Sequence, residues 1–342
     1  MSTNPAQALA APASLNEIFA ILRGFWASRA LAVAAELELA DLLADRPLSV
    51  DALAQRTRTH APSLFRVIRA LESIGVFRQI SPRVFANTPT SELLRKGVPG
   101  SQWAFVRMIL SSDMGQFDAF GALLSSVRTG KPSFDEVHGC GGWDYYRRQP
   151  EKLAIFNEAM RSASAAISPA VAAAYDWKKF PVIADIAGGI GSQLVAILDV
   201  NPSIRGILFD QPQVVANAIE HPRVERVAGD FFKSVPAGAD AYTMRWIIHD
   251  WPDAESIAIM TVIRKAMKPA GRLILIEEIV PETPELTWAK WLDLQMLVGP
   301  GGQERTESEY RELLSKAGLQ LDQIVPTPAG SSLLIARPAG GG

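Results

Sequence analysis

His249 closes the stretch MRWIIHDWPD, where an apolar, β-branched run over Ala241–Ile248 meets an imidazole and then a carboxylate, Asp250. Imidazole titrates near neutral pH, so it can take a proton from a weakly acidic hydroxyl. Such a base works best when a carboxylate orients the ring and stabilises its charged form. Glu277 ends the next apolar run, Arg272–Glu277, and is the carboxylate placed for that task. Asp250 reads instead as a cap for the helix entered at Pro252. A lone histidine is more often structural than catalytic, so the case for chemistry rests on what surrounds the strand ends.

The surroundings are those of a nucleoside site. Val182–Ile186 is a short buried-strand run that ends on Asp185 and turns through Gly188, Gly189 and Gly191 into an apolar helical pattern from Leu194. Glycines allow close backbone approach, and the free N–H groups of a helix start favour an anion. A glycine turn alone is also what any tight strand-to-helix connection needs. Here a second strand, Gly206–Phe209, ends on Asp210 at the distance from the turn expected of a ribose-binding carboxylate. Leu194 stands where a dinucleotide fingerprint requires a small residue. That favours a nucleoside without a pyrophosphate, and S-adenosylmethionine (SAM) fits. Val224–Ala228 then leads to Asp230 and Phe231, an acid and an aromatic for the same cradle. No paired cysteines, H-E-x-x-H, P-loop or G-x-S-x-G occurs, so the spacing predicts no metal site and no serine nucleophile.

These residues need a doubly wound α/β sheet with a helix between each pair of strands, the clearest being Ala254–Met267. A helix at Glu307–Ala317 and an antiparallel hairpin, Gln320–Pro326 with Ser332–Ala336, complete it. Upstream, Leu15–Ala44 reads as one or two helices. Its segment Phe25–Leu43 is apolar but interrupted by Arg29, Glu36, Glu38 and Asp41, which predicts a buried amphipathic helix and no stable membrane insertion. A helix from Val50, a turn at Thr57–Ala61, a helix from Pro62 and a hairpin, Val76–Ile80 with Arg83–Ala86, form a winged-helix pattern. Arg66, Arg69, Arg78 and Arg83 could face nucleic acid there, but six acidic residues interleave and the chain carries a net charge of only −2. Packing is the favoured role, with no nucleic-acid partner. Gly97–Ala174 is helical and rich in aromatic residues and Met, most of them core. The division predicted is a disordered tail over 1–14, a winged-helix domain over 15–97, a helical linker with pocket residues over 98–174 and a nucleoside-binding domain over 175–338. The single cysteine, Cys140, excludes an internal disulfide, is read as structural, and fits a reducing, cytoplasmic setting.

Taken in order, DIAGGIGS, FDQP, GDFF, RWIIHDWPD, IEEIVP and GGQERTESEY resemble the caffeic acid/hydroxyindole O-methyltransferase family, with bacterial small-molecule-tailoring members. These motifs fill Phe180–Tyr310, and the winged-helix segment and FNEAM extend the likeness over nearly the whole chain. The resemblance implies a Rossmann-like SAM-binding domain behind an N-terminal, all-α/winged-helix dimerisation domain. It implies SAM contacts at Gly188, Gly189, Gly191, Asp210, Asp230, Phe231 and Arg245, beside Asp185. It makes His249 the base, flanked by Glu277 and Glu304, and spacing alone does not single out Glu304. It places Phe156, Met160, Trp246, Asp293 and Met296 near a small aromatic acceptor, in a homodimer whose partner helps close the pocket, with no metal. Two departures stand out: Ala187 replaces the first glycine of the family's run, and Arg245 stands where lysine is common. Relatives that hydroxylate, decarboxylate or methylate carotenoid alcohols, and a regulator with SAM as effector, are the alternatives.

Overall fold

The structure, a computed structural model, describes residues 15–340; the tail read over 1–14 lies outside the described residues. Contacts divide the chain between Met114 and Gly115. Helix Trp103–Leu110 therefore goes with the N-terminal unit, to which the Trp103 indole N–H is tied by the Ala35 carbonyl at 2.9 Å. Of the 98–174 stretch, residues 115–174 go with the second unit.

In the first unit, helix Leu15–Glu36 buries Ala32, Ala34 and Ala35 near its end. Its N-terminal half exposes Ile18, Ile21 and Leu22, and at the start of the run Phe25–Leu43, expected to be buried, Phe25 and Trp26 are exposed as well. Ser49 ends the short strand β1 (Leu48–Ser49), and its hydroxyl accepts the Ala52 N–H to cap helix Val50–Thr57. Helix Ala61–Glu72 follows, with Pro62 in its first turn where a missing N–H costs nothing. Gly75 at φ 82° releases the chain into β2 (Phe77–Ser81) and β3 (Val84–Asn87). The three strands pair in the order β1-β3-β2 over a core of Leu53, Ile68, Leu71, Phe77 and Phe85.

The second unit holds a seven-stranded sheet of β4 (Val182–Ile186), β5 (Arg205–Asp210), β6 (Val224–Ala228), β7 (Ala241–Arg245), β8 (Arg272–Glu277), β9 (Leu319–Pro326) and β10 (Ser332–Pro338). Their order is β6-β5-β4-β7-β8-β10-β9, and the first five are parallel. β10 runs antiparallel between β8 and β9. β4 pairs with both β5 and β7, so the strand order reverses around it, and the crevice at its carboxyl end is the place for a ligand. One face packs Ile183, Leu194, Leu208 and Trp177 beneath helix Ser192–Val200. The other packs Met244, Ile259, Ile263 and Tyr310 beneath helices Asp253–Ala266 and Glu307–Lys316.

Three elements differ from expectation. Helices do not fall between every pair of strands: β5 and β6 are joined by the single turn Pro212–Val215, and β6 and β7 by turns alone. β7 stops at Arg245 rather than Ile248, because Trp246 takes a left-handed φ of 55° that ends the pleat. Trp288–Val298 is a helix whose apolar residues lie on all sides, so it shows no amphipathic period to read.

Ala187 adopts φ 55° at the turn after β4, the region that L side chains resist. Ala187→Gly is therefore expected to raise the unfolding free energy by ~1 kcal/mol, since relief of the methyl clash outweighs the added freedom of the unfolded chain. Denaturant melts of the two proteins measure it, and a glycine variant of equal or lower stability would show that the turn stores no strain.

Candidate active site

The carboxyl ends of β4, β5 and β7 converge on one polar cluster. Gly188 belongs there on packing grounds, because a Cβ would stand 2.5 Å from Asp185 Oδ2 and 2.6 Å from Leu208 Cδ1. Gly191, at φ 89°, passes close over the same leucine. Gly189 faces open space at φ 61°, leaving bare backbone toward the crevice, and its N–H donates to Asp210 Oδ2 at 2.8 Å. Asp185 accepts the Thr243 hydroxyl at 2.7 Å through Oδ1, while its buried Oδ2 has no hydrogen-bond partner. Burial pushes the Asp185 carboxyl up to about 6, against the pull of Thr243 and Arg245. Arg245 is half-buried; its Nη2 donates to Ser164 Oγ on helix Pro150–Ala174, and its buried Nη1 is unpartnered.

One unpaired donor and one unpaired acceptor, both buried, complement the carboxylate and ammonium of an amino acid group. Asp210 stands at the next strand end. Beyond it, Asp230 is held below the usual carboxylate range by Lys233 at 3.0 Å and by the Phe232 N–H. Phe231, Phe232 and Trp251 pack edge to face with centroids 4.9–6.0 Å apart and offer apolar rings to a purine. Asp185, Asp210, Asp230, Phe231 and Arg245, which the sequence singled out, thus stand at or just beyond successive strand ends, with Phe232 and Trp251 added by the fold.

Four residues past Arg245, His249 is almost fully buried. Its Nδ1 lies 2.6 Å from Glu304 Oε1, a charge-assisted hydrogen bond, and 3.8 Å from Glu277 Oε2. Glu304 rather than Glu277 therefore orients the ring. Glu277 holds the loop: its Oε1 accepts the N–H groups of Ile247 at 3.1 Å and Ile248 at 2.9 Å. Asp250 is not a helix cap. Pro252 occupies the cap position of helix Asp253–Ala266 with no side-chain hydrogen bond, and Asp250 Oδ1 lies 3.6 Å from His249 Nε2.

Burial alone would lower the His249 pKa, but the carboxylates of Glu277, Asp250 and Glu304 more than offset it and raise it to about 10. Burial pushes Glu277 up to about 7 and Asp250 to about 6, with the imidazole pulling the other way. Ligand-type atoms of His249, Glu277 and Glu304 all lie within 4.8 Å of one another, a cluster not evident in the sequence. The 2.6 Å contact is nonetheless too short to admit an ion between Nδ1 and Oε1, given ~2 Å per metal–ligand bond.

Of the other candidates, Trp246 stacks toward the imidazole at 24° and 6.3 Å, and Asp293 Oδ1 accepts the Glu304 N–H at 2.9 Å. Met296 is buried on the same helix as Asp293. Phe156 and Met160 lie on helix Pro150–Ala174, where Phe156 stacks on Tyr146 at 5.1 Å and meets Trp143 edge to face. Sequence spacing missed Arg305, fully buried beside this loop, and the position of Asp250 against Nε2.

A family model described as an O-methyltransferase domain matches residues 120–320, and an O-methyltransferase dimerisation domain matches residues 19–97. A phenazine O-methyltransferase from Lysobacter antibioticus is 40% identical over 325 residues, 93% of this chain and 94% of that one. The chain belongs to the O-methyltransferase family. This O-methyltransferase is also 37% identical to the mitomycin biosynthesis 6-O-methyltransferase of Streptomyces lavendulae, over 96% and 95% of the two chains. Human N-acetylserotonin methyltransferase, solved in complex with SAM, superposes with a TM-score of 0.85 at 27% identity over 99% of each chain. The cofactor of this O-methyltransferase is SAM.

Glu304→Gln is expected to lower the His249 pKa from about 10, because the neutral amide no longer stabilises the imidazolium. A histidine NMR titration reads it directly. A pKa at or above the wild-type value would mean that Glu304 does not hold the charge.

Proposed function

We propose that this O-methyltransferase methylates a phenolic hydroxyl of a small aromatic molecule, with His249 as the general base. The observation that carries the proposal is the buried Nδ1–Glu304 hydrogen bond of 2.6 Å. In the neutral ring Nδ1–H donates to Glu304 and Nε2 carries the lone pair; with a pKa raised to about 10 this is the minor form at neutral pH and a strong base. It takes the acceptor's hydroxyl proton, and the charge created on the ring is met by Glu304, Glu277 and Asp250. When bound, SAM supplies the electrophilic methyl group. Asp185, Gly188, Gly189, Gly191, Asp210, Asp230, Phe231 and Arg245 hold it, while Trp246, Asp293, Met296, Phe156 and Met160 wall the acceptor. An aromatic acceptor accords with the Trp246 ring stacked on the imidazole and with the phenazine and mitomycin pathways named for the two bacterial relatives. Holding oxygen and methyl in line provides most of the acceleration, and the base adds ~10²–10⁴-fold.

The protein works as a homodimer in the cytoplasm. The apolar face Ile18, Ile21, Leu22 and Trp26, exposed in one chain, has the length and character for a second copy to cover. The winged-helix unit serves packing: Arg69 and Arg83 lie over the Phe65 ring at 5.3 and 4.7 Å, and Arg83 pairs with Asp51 at 3.2 Å.

Incubation with SAM and a panel of phenols, read by product mass, tests the reaction; gain of one CH₂ is expected, whereas an added oxygen or lost CO₂ would overturn it. His249→Ala should lower kcat by ~10²–10⁴-fold with SAM affinity retained, and unchanged turnover would refute the base. Light scattering should give the mass of two chains, shifting toward one in the Ile18→Asp/Leu22→Asp variant. A wild-type monomer would rule out the dimer.

A further inference from the structure

Residues Gly302–Arg305 lie flush against the backbone that carries His249, and each holds it differently. At Gly302 a side chain has no room: a Cβ would overlap the His249 carbonyl oxygen and stand 2.5 Å from the Asp250 carbonyl carbon. The Gln303 N–H donates to the His249 carbonyl at 2.9 Å. Glu304 holds the ring. Arg305, 1% exposed, grips both flanks: Nη1 donates to the Ile248 carbonyl at 3.1 Å and Nη2 to the Trp251 carbonyl at 2.9 Å. Its Nε and Nη2 also reach Asp253 Oδ1 at 3.1 and 2.8 Å, so one guanidinium ties the loop to the first turn of the next helix.

We infer that Arg305 is a positioning residue for His249, fixing the peptide planes on both sides of it so that Nε2 keeps its aim, with Gly302 allowing the close seat. This rests on His249 being the base. Glu277 holds the loop by its Ile247 and Ile248 N–H groups, and the Ser256 hydroxyl reaches the Ile248 and Trp251 carbonyls at 3.3 and 3.1 Å, but Arg305 alone among these ties both carbonyls to the Asp253 carboxylate. A planar fork with several donors can bind two carbonyls and a carboxylate at once, whereas an ammonium cannot reproduce that geometry. A displacement near 1 Å of a reacting group can cost ~10²-fold in rate.

The test is a double-mutant cycle of Arg305→Lys and His249→Asn, with kcat, acceptor KM and SAM Kd measured for each. Arg305→Lys alone is expected to lower kcat ~10–100-fold with KM and Kd within ~2-fold of wild type, and to cost under ~2-fold in the His249→Asn background. A wild-type kcat in Arg305→Lys beside a crippled His249→Asn overturns the positioning role and leaves the base intact. Full activity in His249→Asn overturns the base instead. Losses that multiply in the double variant show that Arg305 acts elsewhere, which also overturns the inference. Should Arg305→Lys not fold, Asp253→Ala, which removes an exposed anchor of the guanidinium, is expected to lower kcat ~3–10-fold at unchanged SAM Kd, and no change would overturn the role.

Discussion

A single imidazole, removed from water, stands among carboxylates that stabilise the charge it gains on taking a proton, and the loop around it is built to keep them in place. Desolvation works against the imidazolium, and the acids Glu277, Asp250 and Glu304 win only because they are close and fixed. Crowding three acids has its own cost, since each opposes ionisation of the others. Backbone donors absorb part of it: Glu277 accepts two N–H groups of the loop it faces. Glu304 is in turn fixed through its own N–H by Asp293. The acids and the loop thus specify each other's positions.

The proton site and the cofactor cradle share one short connection. Arg245 ends β7 with a free Nη1 in the cradle, and His249 follows four residues later. Trp246 makes the change of direction by entering the left-handed region, unusual for a bulky residue and the kind of local strain that collects at working sites. Its N–H is held by the Ile276 carbonyl at 3.1 Å and its indole N–H by Ser331 at 3.3 Å. Strain of this kind persists only where neighbours over-determine the conformation.

Much of this was legible in the residues. The β-branched run into the glycine turn and the carboxylates at successive strand ends gave β4, its turn and β5, where the cradle is proposed, because strand period and turn chemistry are local properties. What escaped detection was non-local. Asp250 looked like a cap because its neighbours Pro252 and Asp253 begin a helix, yet the tight turn at Ile248–Asp250 points it at Nε2. Glu304 and Arg305 are more than fifty residues from the loop they hold, with no periodicity linking the two. Glu304 came to notice only through family resemblance. Helix Trp288–Val298 shows no clear apolar period to read, and the exposure of Phe25 and Trp26 was not foreseen since amphipathic spacing does not say what covers an apolar face.

The placement of β10 has a consequence for how the enzyme is made. It enters between β8 and β9, with Ser332 opposite Glu277, and β9 joins the sheet through β10 alone. Until that strand emerges from the ribosome, β8 presents a bare edge and the Glu277 backbone lacks its partner. A nascent chain stalled before Ser332 would contain every group of the cradle and the proton relay, yet have an unfinished wall behind them. Completion of the sheet behind β8 is thereby tied to the synthesis of β10.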